Sequence, residues 1–89
     1  MRGSYKVEWK KSAVKELKKI DSKYIHRIIE AVEPLTDDPF PPQTRKLVES
    51  KSSYRIRIGD YRVVYGVDTE NKIISIYRVR HRKDAYRNF

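Results

Sequence analysis

The sequence has no cysteine, two histidines and three glycines among its 89 residues. Without cysteine the chain cannot form a disulfide scaffold, a thiol nucleophile or the usual zinc motifs, so neither metal nor cofactor is predicted. No apolar run approaches the roughly 20 residues that a membrane-spanning helix requires, and no export signal is visible. We expect one cytoplasmic domain over residues 1–89, without a membrane partner; residues 1–4 resemble a vector-derived leader and carry no weight.

What the sequence does have is positive charge, with a net value of +9. Residues 1–50 contain eight lysines and three arginines, whereas residues 51–89 contain three lysines and seven arginines. Arginine presents a planar fork of donors that suits phosphate groups, while lysine acts mainly as a hydrated point charge. The second half therefore favours a polyanion such as nucleic acid as partner, with an acidic protein as the alternative.

The arginines are most concentrated in residues 54–65, which alternate between apolar and basic residues on both sides of Gly59-Asp60. This pattern predicts two strands joined by a two-residue type II′ turn. The resulting register places Arg57 directly opposite Arg62, an arrangement that destabilises a sheet unless something separates the charges. Either an anion belongs between these arginines, or they splay apart on a solvated face.

The rest of the chain predicts an α+β fold of order β-α-α-β-β-β, with a helical hairpin on one face of a mainly antiparallel sheet. Residues 4–9 alternate as a first strand, and apolar residues recur at helical spacing around Ser12 and after a cap at Asp21 or Ser22. A proline-rich loop follows, with Phe40 expected to pack toward the helices. Leu47 and Val48 are expected to pack near the hairpin as a short edge strand.

The face of the last strand, predicted over residues 73–79, depends on the length of the turn before it. A three-residue loop at 69–71 pairs Val67 with Ile73, Val64 with Ile76 and Arg62 with Arg78. A two-residue loop would instead drive Arg78 into the core, which is costly for a charge. The three-residue loop is therefore favoured, and it gathers four arginines on one free face, namely Arg55, Arg57, Arg62 and Arg78.

Residues 80–89 read as a basic carboxy-terminal tail or short helix that contains His81 and Tyr86. RNA cleavage without a metal needs a base, an acid, cations that stabilise the charged phosphorus intermediate and a platform for the bases. Histidine is the side chain that ordinarily titrates near neutral pH, so His81 is the candidate for proton transfer. Arginine stays protonated in nearly all settings, which makes it a good stabiliser and a poor base. Tyr86 could stack on a base.

Residues 54–65 (YRIRIGDYRVVY) together with residues 81–86 (HRKDAY) resemble the RelE branch of the RelE/ParE toxin superfamily, and the likeness extends over nearly the whole chain. The resemblance implies a type II toxin that cleaves mRNA in the ribosomal A site without a metal, leaving a 2′,3′-cyclic phosphate and a 5′-hydroxyl. It also implies a cognate RelB-like antitoxin that neutralises the toxin, and a toxin–antitoxin complex that binds operator DNA.

The resemblance also assigns roles to residues. Arg62 would steady the transition state, Arg82 or Arg80 would serve the leaving group, and Tyr86 would stack on the substrate base. Arg57 stands where the family has a lysine as base, so either His81 transfers the proton or positioning and charge supply most of the rate. The predicted catalytic residues are Arg57, Arg62, His81, Arg82 and Tyr86, and the predicted RNA-binding residues are Arg55, Arg78, Arg80, Lys83 and Arg87.

Two alternatives have the same basic surface. A ParE-like toxin would share the fold but inhibit DNA gyrase without hydrolysis. A non-enzymatic nucleic-acid-binding module would leave His81 and Tyr86 without a necessary role. The cluster of His81, Arg82 and Tyr86 favours the ribonuclease.

Overall fold

The computed structural model of the protein describes residues 4–42, 44–46 and 53–81. Strand β1 (Lys6–Trp9) is followed by helices α1 (Lys11–Lys18) and α2 (Ser22–Val32) and a 3-10 turn (Glu33–Thr36). Strands β2 (Arg45–Lys46), β3 (Ser53–Ile58), β4 (Tyr61–Asp68) and β5 (Ile73–His81) follow in the described residues. The strands form one sheet in the order β1-β5-β4-β3-β2, in which only the β1–β5 pair is parallel. The predicted fold is therefore confirmed. The two-residue strand β2 lies at one edge of the sheet, and the edge strand expected at Leu47 and Val48 falls outside the described residues.

The helical hairpin forms because the sequence supplies an apolar stripe on each helix and a cap between them. The Asp21 carboxylate accepts a hydrogen bond from the backbone N–H of Lys23 at 3.2 Å, which satisfies a donor at the start of α2. The core lies between the two helices, the 3-10 turn and one face of the sheet. Its buried members are Ala13, Ile28, Val32, Leu35, Ile56, Val63, Tyr65, Val67, Ile74, Ile76 and Val79.

Tyr65 ties the proline-rich loop to this core. Its side chain is fully buried, and its hydroxyl donates to the carbonyl oxygen of Pro39 at 2.8 Å and lies 3.0 Å from the Thr44 hydroxyl. Burial raises the pKa of the Tyr65 phenol above its usual range. Phe40 packs edge-on against Tyr54 of β3 with 5.0 Å between ring centroids. Tyr54 packs against the core, so Phe40 lies on the helix side of the sheet, as expected, although it stays 45% exposed.

The β3–β4 hairpin has the predicted register, with Arg57 opposite Arg62 and Ile58 opposite Tyr61. Gly59 has a φ of +58°, as the first loop residue of a type II′ turn requires, and Asp60 does not have positive φ.

The predicted register of β4 with β5 is wrong. The loop has four residues, 69–72, because the Asp68 carboxylate accepts hydrogen bonds from the backbone N–H groups of Glu70 and Asn71, and Lys72 takes a φ of +59°. Val67 therefore pairs with Ile74, and Tyr65 pairs with Ile76. A bulge at Tyr77 then adds a second shift, so that Arg62 pairs with Arg80 and Val64 with Arg78.

Beyond the end of β1, residues at the start of helix α1 and within it form hydrogen bonds with the edge of β5. The backbone N–H of Lys10 donates to the Ile76 carbonyl at 2.9 Å, and the Ser12 hydroxyl donates to the Tyr77 carbonyl at 2.7 Å. The Glu16 carboxylate accepts a hydrogen bond from the Val79 N–H at 2.9 Å. These bonds satisfy backbone groups that an unpaired edge would leave open. Within the described ranges, no helix is long and apolar enough to cross a membrane.

Candidate anion-binding site on the arginine face

The sheet face opposite the helices carries six arginines drawn from four strands. Because side chains alternate along a strand, residues paired across the sheet point to the same side. Arg57, Arg62 and Arg80 form one cross-strand row, and Arg45, Arg55, Val64 and Arg78 form the next. We call this surface the arginine face, defined by Arg45, Arg55, Arg57, Arg62, Arg78 and Arg80.

A pocket of about 330 Å³ opens at one end of the arginine face, and the described residues in its lining are Arg45, Arg55, Arg57 and Arg62. Its volume falls near the lower end of the range of small-ligand sites. Within the hairpin, Arg57 donates from Nε to the Gly59 carbonyl at 3.1 Å, which fixes its guanidinium near the turn. A pocket lined by guanidinium groups is suited to an anion with several acceptor oxygens, such as a phosphodiester.

Glu16 is the acidic residue that contacts the other end of the arginine face in the described part of the chain. Its carboxylate lies 3.4 Å from Nε of Arg80 and 3.7 Å from Nη1 of Arg78. It approaches from α1 around the edge of β5, so its single negative charge offsets part of the positive charge of these two arginines.

The structure brings together Arg55, Arg57, Arg62 and Arg78 on one face, as the sequence predicted, although Arg78 reaches that face through a different register, and it adds Arg80. Arg80 and His81 belong to strand β5 rather than to a tail. His81 pairs with Tyr61, on the helix side of the sheet, and its ring meets the Tyr61 ring edge-on at 5.1 Å. Four further predicted residues lie outside the described ranges: Arg82, Lys83, Tyr86 and Arg87.

Two members of the site were missed at the level of sequence. Arg45 lies in the two-residue strand β2 and pairs with Arg55, and a strand this short leaves no alternating pattern in the sequence. Glu16 sits 63 residues from Val79, and nothing in the spacing of the sequence links the two positions. His26, by contrast, is exposed as expected.

The fold and the arginine face together define a small basic α+β domain suited to a polyanion or an acidic partner. Comparison with known proteins is more specific. A family model for the ParE toxin of type II toxin–antitoxin systems (parDE) matches residues 7–86. The chain is 33% identical over 87 residues to RelE1 of Methanocaldococcus jannaschii, covering 94% of this chain and 97% of that protein. It is 30% identical over 84 residues to the toxin RelG of Mycobacterium tuberculosis, covering 93% and 97%.

The structural comparison agrees with the sequence comparison. The fold matches a chain in the crystal structure of the archaeal RelE–RelB complex from Pyrococcus horikoshii with a TM-score of 0.79 and 32% identity. The match covers 89% of this chain and 96% of that chain. The protein therefore belongs to the RelE/ParE superfamily of type II toxins.

Proposed function

We propose that this toxin is a ribosome-dependent endoribonuclease that cleaves mRNA in the A site. The 2′-hydroxyl of one nucleotide attacks the adjacent phosphodiester, and the products carry a 2′,3′-cyclic phosphate and a 5′-hydroxyl. The observation that carries the proposal is the facing pair Arg57 and Arg62 in a pocket lined by arginines. The similarity to RelE proteins over almost the full chain supports the same function.

The role of the arginine pair follows from its chemistry. Attack on a phosphodiester builds negative charge on the non-bridging oxygens, and donors already held in place stabilise that charge most effectively. Arg57 and Arg62 are paired across adjacent strands and both line the pocket, and a guanidinium carries the positive charge that this role needs. Arg55, Arg78 and Arg80 would hold the neighbouring phosphates, because each lies on the same face of the sheet.

The position of His81 bears on its role in proton transfer. His81 lies on the helix side of the sheet against Tyr61, whereas Arg57 and Arg62 lie on the other side. We therefore propose that positioning and charge supply most of the rate enhancement, as bound geometry alone can contribute several kcal/mol. Arg82 and Tyr86 keep the roles that the family resemblance gives them, on the leaving group and on the substrate base. His81 as the titrating group stays a prediction.

We further propose that a RelB-like antitoxin binds this chain in the cytoplasm and neutralises it. The Pyrococcus horikoshii relative was crystallised as a RelE–RelB complex. An acidic antitoxin segment would be attracted to the arginine face, so that the inhibitor and the RNA compete for one surface. The toxin–antitoxin complex would then bind operator DNA.

One observation favours a second candidate, a ParE-like toxin that inhibits DNA gyrase. The family model that matches residues 7–86 is described as a ParE toxin. The two candidates differ in what they require of the arginine face, because only the nuclease needs Arg57 and Arg62 to surround a scissile phosphate.

The deciding experiment incubates the protein with programmed ribosomes and maps mRNA 5′ ends by primer extension, beside a gyrase supercoiling assay. We expect cuts within A-site codons and unchanged supercoiling. Arg62→Ala should slow cleavage about 100-fold or more, as loss of one charge-stabilising donor does in other enzymes. Arg27→Ala, which removes an exposed arginine from α2, is the matched control and should cleave normally. Inhibited supercoiling without any cleavage would establish the gyrase inhibitor instead.

A further inference from the structure

Tyr77 has an unusual position on the same side of the sheet as the arginine face. It is the extra residue of the β5 bulge, between Ile76, which pairs with Tyr65, and Arg78, which pairs with Val64. Its side chain lies over Gly66 of β4. A Cβ on Gly66 would come within 2.9 Å of Cε2 and 3.2 Å of the hydroxyl oxygen of Tyr77. The absence of a side chain at position 66 thus lets the ring lie directly on the strand.

The need for glycine at position 66 comes from this close approach, since Gly66 does not have positive φ. A glycine within a strand weakens it and frequently marks a place where another group comes close to the backbone. Covering a strand glycine with an aromatic ring offsets that loss. Tyr77 nevertheless stays 40% exposed, so the ring covers Gly66 and still presents surface to solvent.

The ring lies next to the arginine face. Gly66 is two residues, roughly 7 Å, along β4 from Val64. Val64 in turn pairs with Arg55 on one side and with Arg78 on the other. The exposed aromatic ring therefore lies on the same face of the sheet, one row from Arg55 and Arg78, and stacking surface near positive charge is the pairing that single-stranded nucleic acid recognises.

The pocket beyond the ring contains acidic side chains, with Lys6 in the same cross-strand row as Asp68. Its volume is about 230 Å³, with Glu8, Gly66, Asp68, Ser75 and Tyr77 in its lining. Hydrogen bonds from Asn71 hold the pKa of the Asp68 carboxyl below its usual range, and they occupy both of its oxygens. The acidic groups repel a phosphate but tolerate a neutral base. A nucleotide on this surface is therefore oriented with its phosphate toward the arginines and its base toward Tyr77.

We propose that Tyr77, seated on Gly66, is a stacking platform for a nucleobase of the RNA whose phosphates occupy the arginine face. The inference rests on the proposed function, because it takes single-stranded RNA as the ligand of the arginine face. It adds a base-binding site in the middle of the sheet, separate from the stacking role that resemblance gives to Tyr86.

The test measures binding of two labelled probes by fluorescence anisotropy at low salt. One probe is a short single-stranded RNA, and the other is an abasic ribose-phosphate oligomer of the same length. Tyr77→Leu keeps an apolar cover over Gly66 but has no aromatic face, whereas Tyr77→Phe keeps the ring. We expect Tyr77→Leu to weaken RNA binding roughly 5- to 150-fold and Tyr77→Phe to change it less than about twofold. Both variants should bind the abasic oligomer as the wild-type protein does.

Arg57→Ala separates this inference from the proposed function. It should weaken binding of both probes, because it removes a phosphate contact. If Tyr77→Leu binds RNA like the wild type while Arg57→Ala does not, Tyr77 is not a stacking platform, and the arginine face still binds RNA. If Arg57→Ala also binds normally, the arginine face does not bind RNA. The stacking platform and the proposed function are then both refuted. If Tyr77→Leu weakens only binding of a RelB-like antitoxin, the ring is a protein contact and the inference is overturned. Matching melting temperatures of the Leu and Phe variants would show that the fold is intact.

Discussion

The link between α1 and β5 through Glu16 gives a sharp stability prediction. Glu16→Ala removes the acceptor for the Val79 N–H, which lies on a residue only 3% exposed. A buried donor left without a partner costs about 1–3 kcal/mol. The lost ion pairs with Arg78 and Arg80 add little, because at 48% and 27% side-chain exposure water screens them. We expect a total loss of about 2–3 kcal/mol, which for a domain of this size lowers Tm by roughly 10–20 °C.

Glu16→Gln is the matched control, because its amide oxygen still accepts the Val79 hydrogen bond while the charge is gone. We expect it to lose less than about 1 kcal/mol. Urea unfolding measures both variants, and hydrogen exchange at the Val79 amide reports the bond itself. That amide should exchange faster in Glu16→Ala and stay protected in Glu16→Gln. Equal destabilisation by the two variants would refute the reasoning, since it would assign the effect to charge rather than to the hydrogen bond.

Three further changes test other parts of the fold. Tyr65→Phe removes the hydrogen bond to the Pro39 carbonyl and should lower the free energy of unfolding by about 1–2 kcal/mol, whereas Tyr77→Phe, at an exposed ring, should not. Gly59→Ala should cost about 1–3 kcal/mol through backbone strain alone, because no atom lies within 4 Å of the added Cβ; an unchanged urea midpoint would contradict the turn geometry. Because the pKa of Asp68 is lowered, its stabilising effect is present above about pH 4 and disappears as the pH falls through the lowered value, and Asp68→Asn should flatten that part of the pH–stability curve.

The features that could be predicted from sequence are those that neighbouring residues determine. The β3–β4 register follows from a two-residue loop with glycine first, and the cap of α2 follows from Asp21 just before an apolar helical pattern. In both cases the deciding contacts lie within a few residues. The arrangement of Arg57 opposite Arg62 was predictable for the same reason, because the two-residue turn between the strands determines it.

The β4–β5 register could not be predicted, because two departures from regularity compensate each other. The turn is one residue longer than expected, which alone would move every later side chain of β5 to the other face. The bulge at Tyr77 adds a second residue, so Arg78 and Arg80 return to the face of Arg62. The bulge lies where α1 replaces β1 along the edge of β5, a contact between residues far apart in sequence. The same separation in sequence kept the role of Glu16 from being predicted. His81 lies away from the arginines because β5 extends far enough to pair it with Tyr61 on the helix side of the sheet.

The most direct test of the central claim is the chemistry of the cut RNA ends. Programmed ribosomes are treated with the wild-type protein, Arg57→Ala, Arg62→Ala or the control Arg27→Ala, and the ends are assayed with a kinase for 5′-hydroxyls and with acid for cyclic phosphates. The arginine-face account predicts 2′,3′-cyclic phosphate and 5′-hydroxyl ends from the wild type and Arg27→Ala, with yields at least about 100-fold lower from the other two. Cleavage that leaves 5′-phosphates, or that proceeds at full rate in Arg62→Ala, would contradict it.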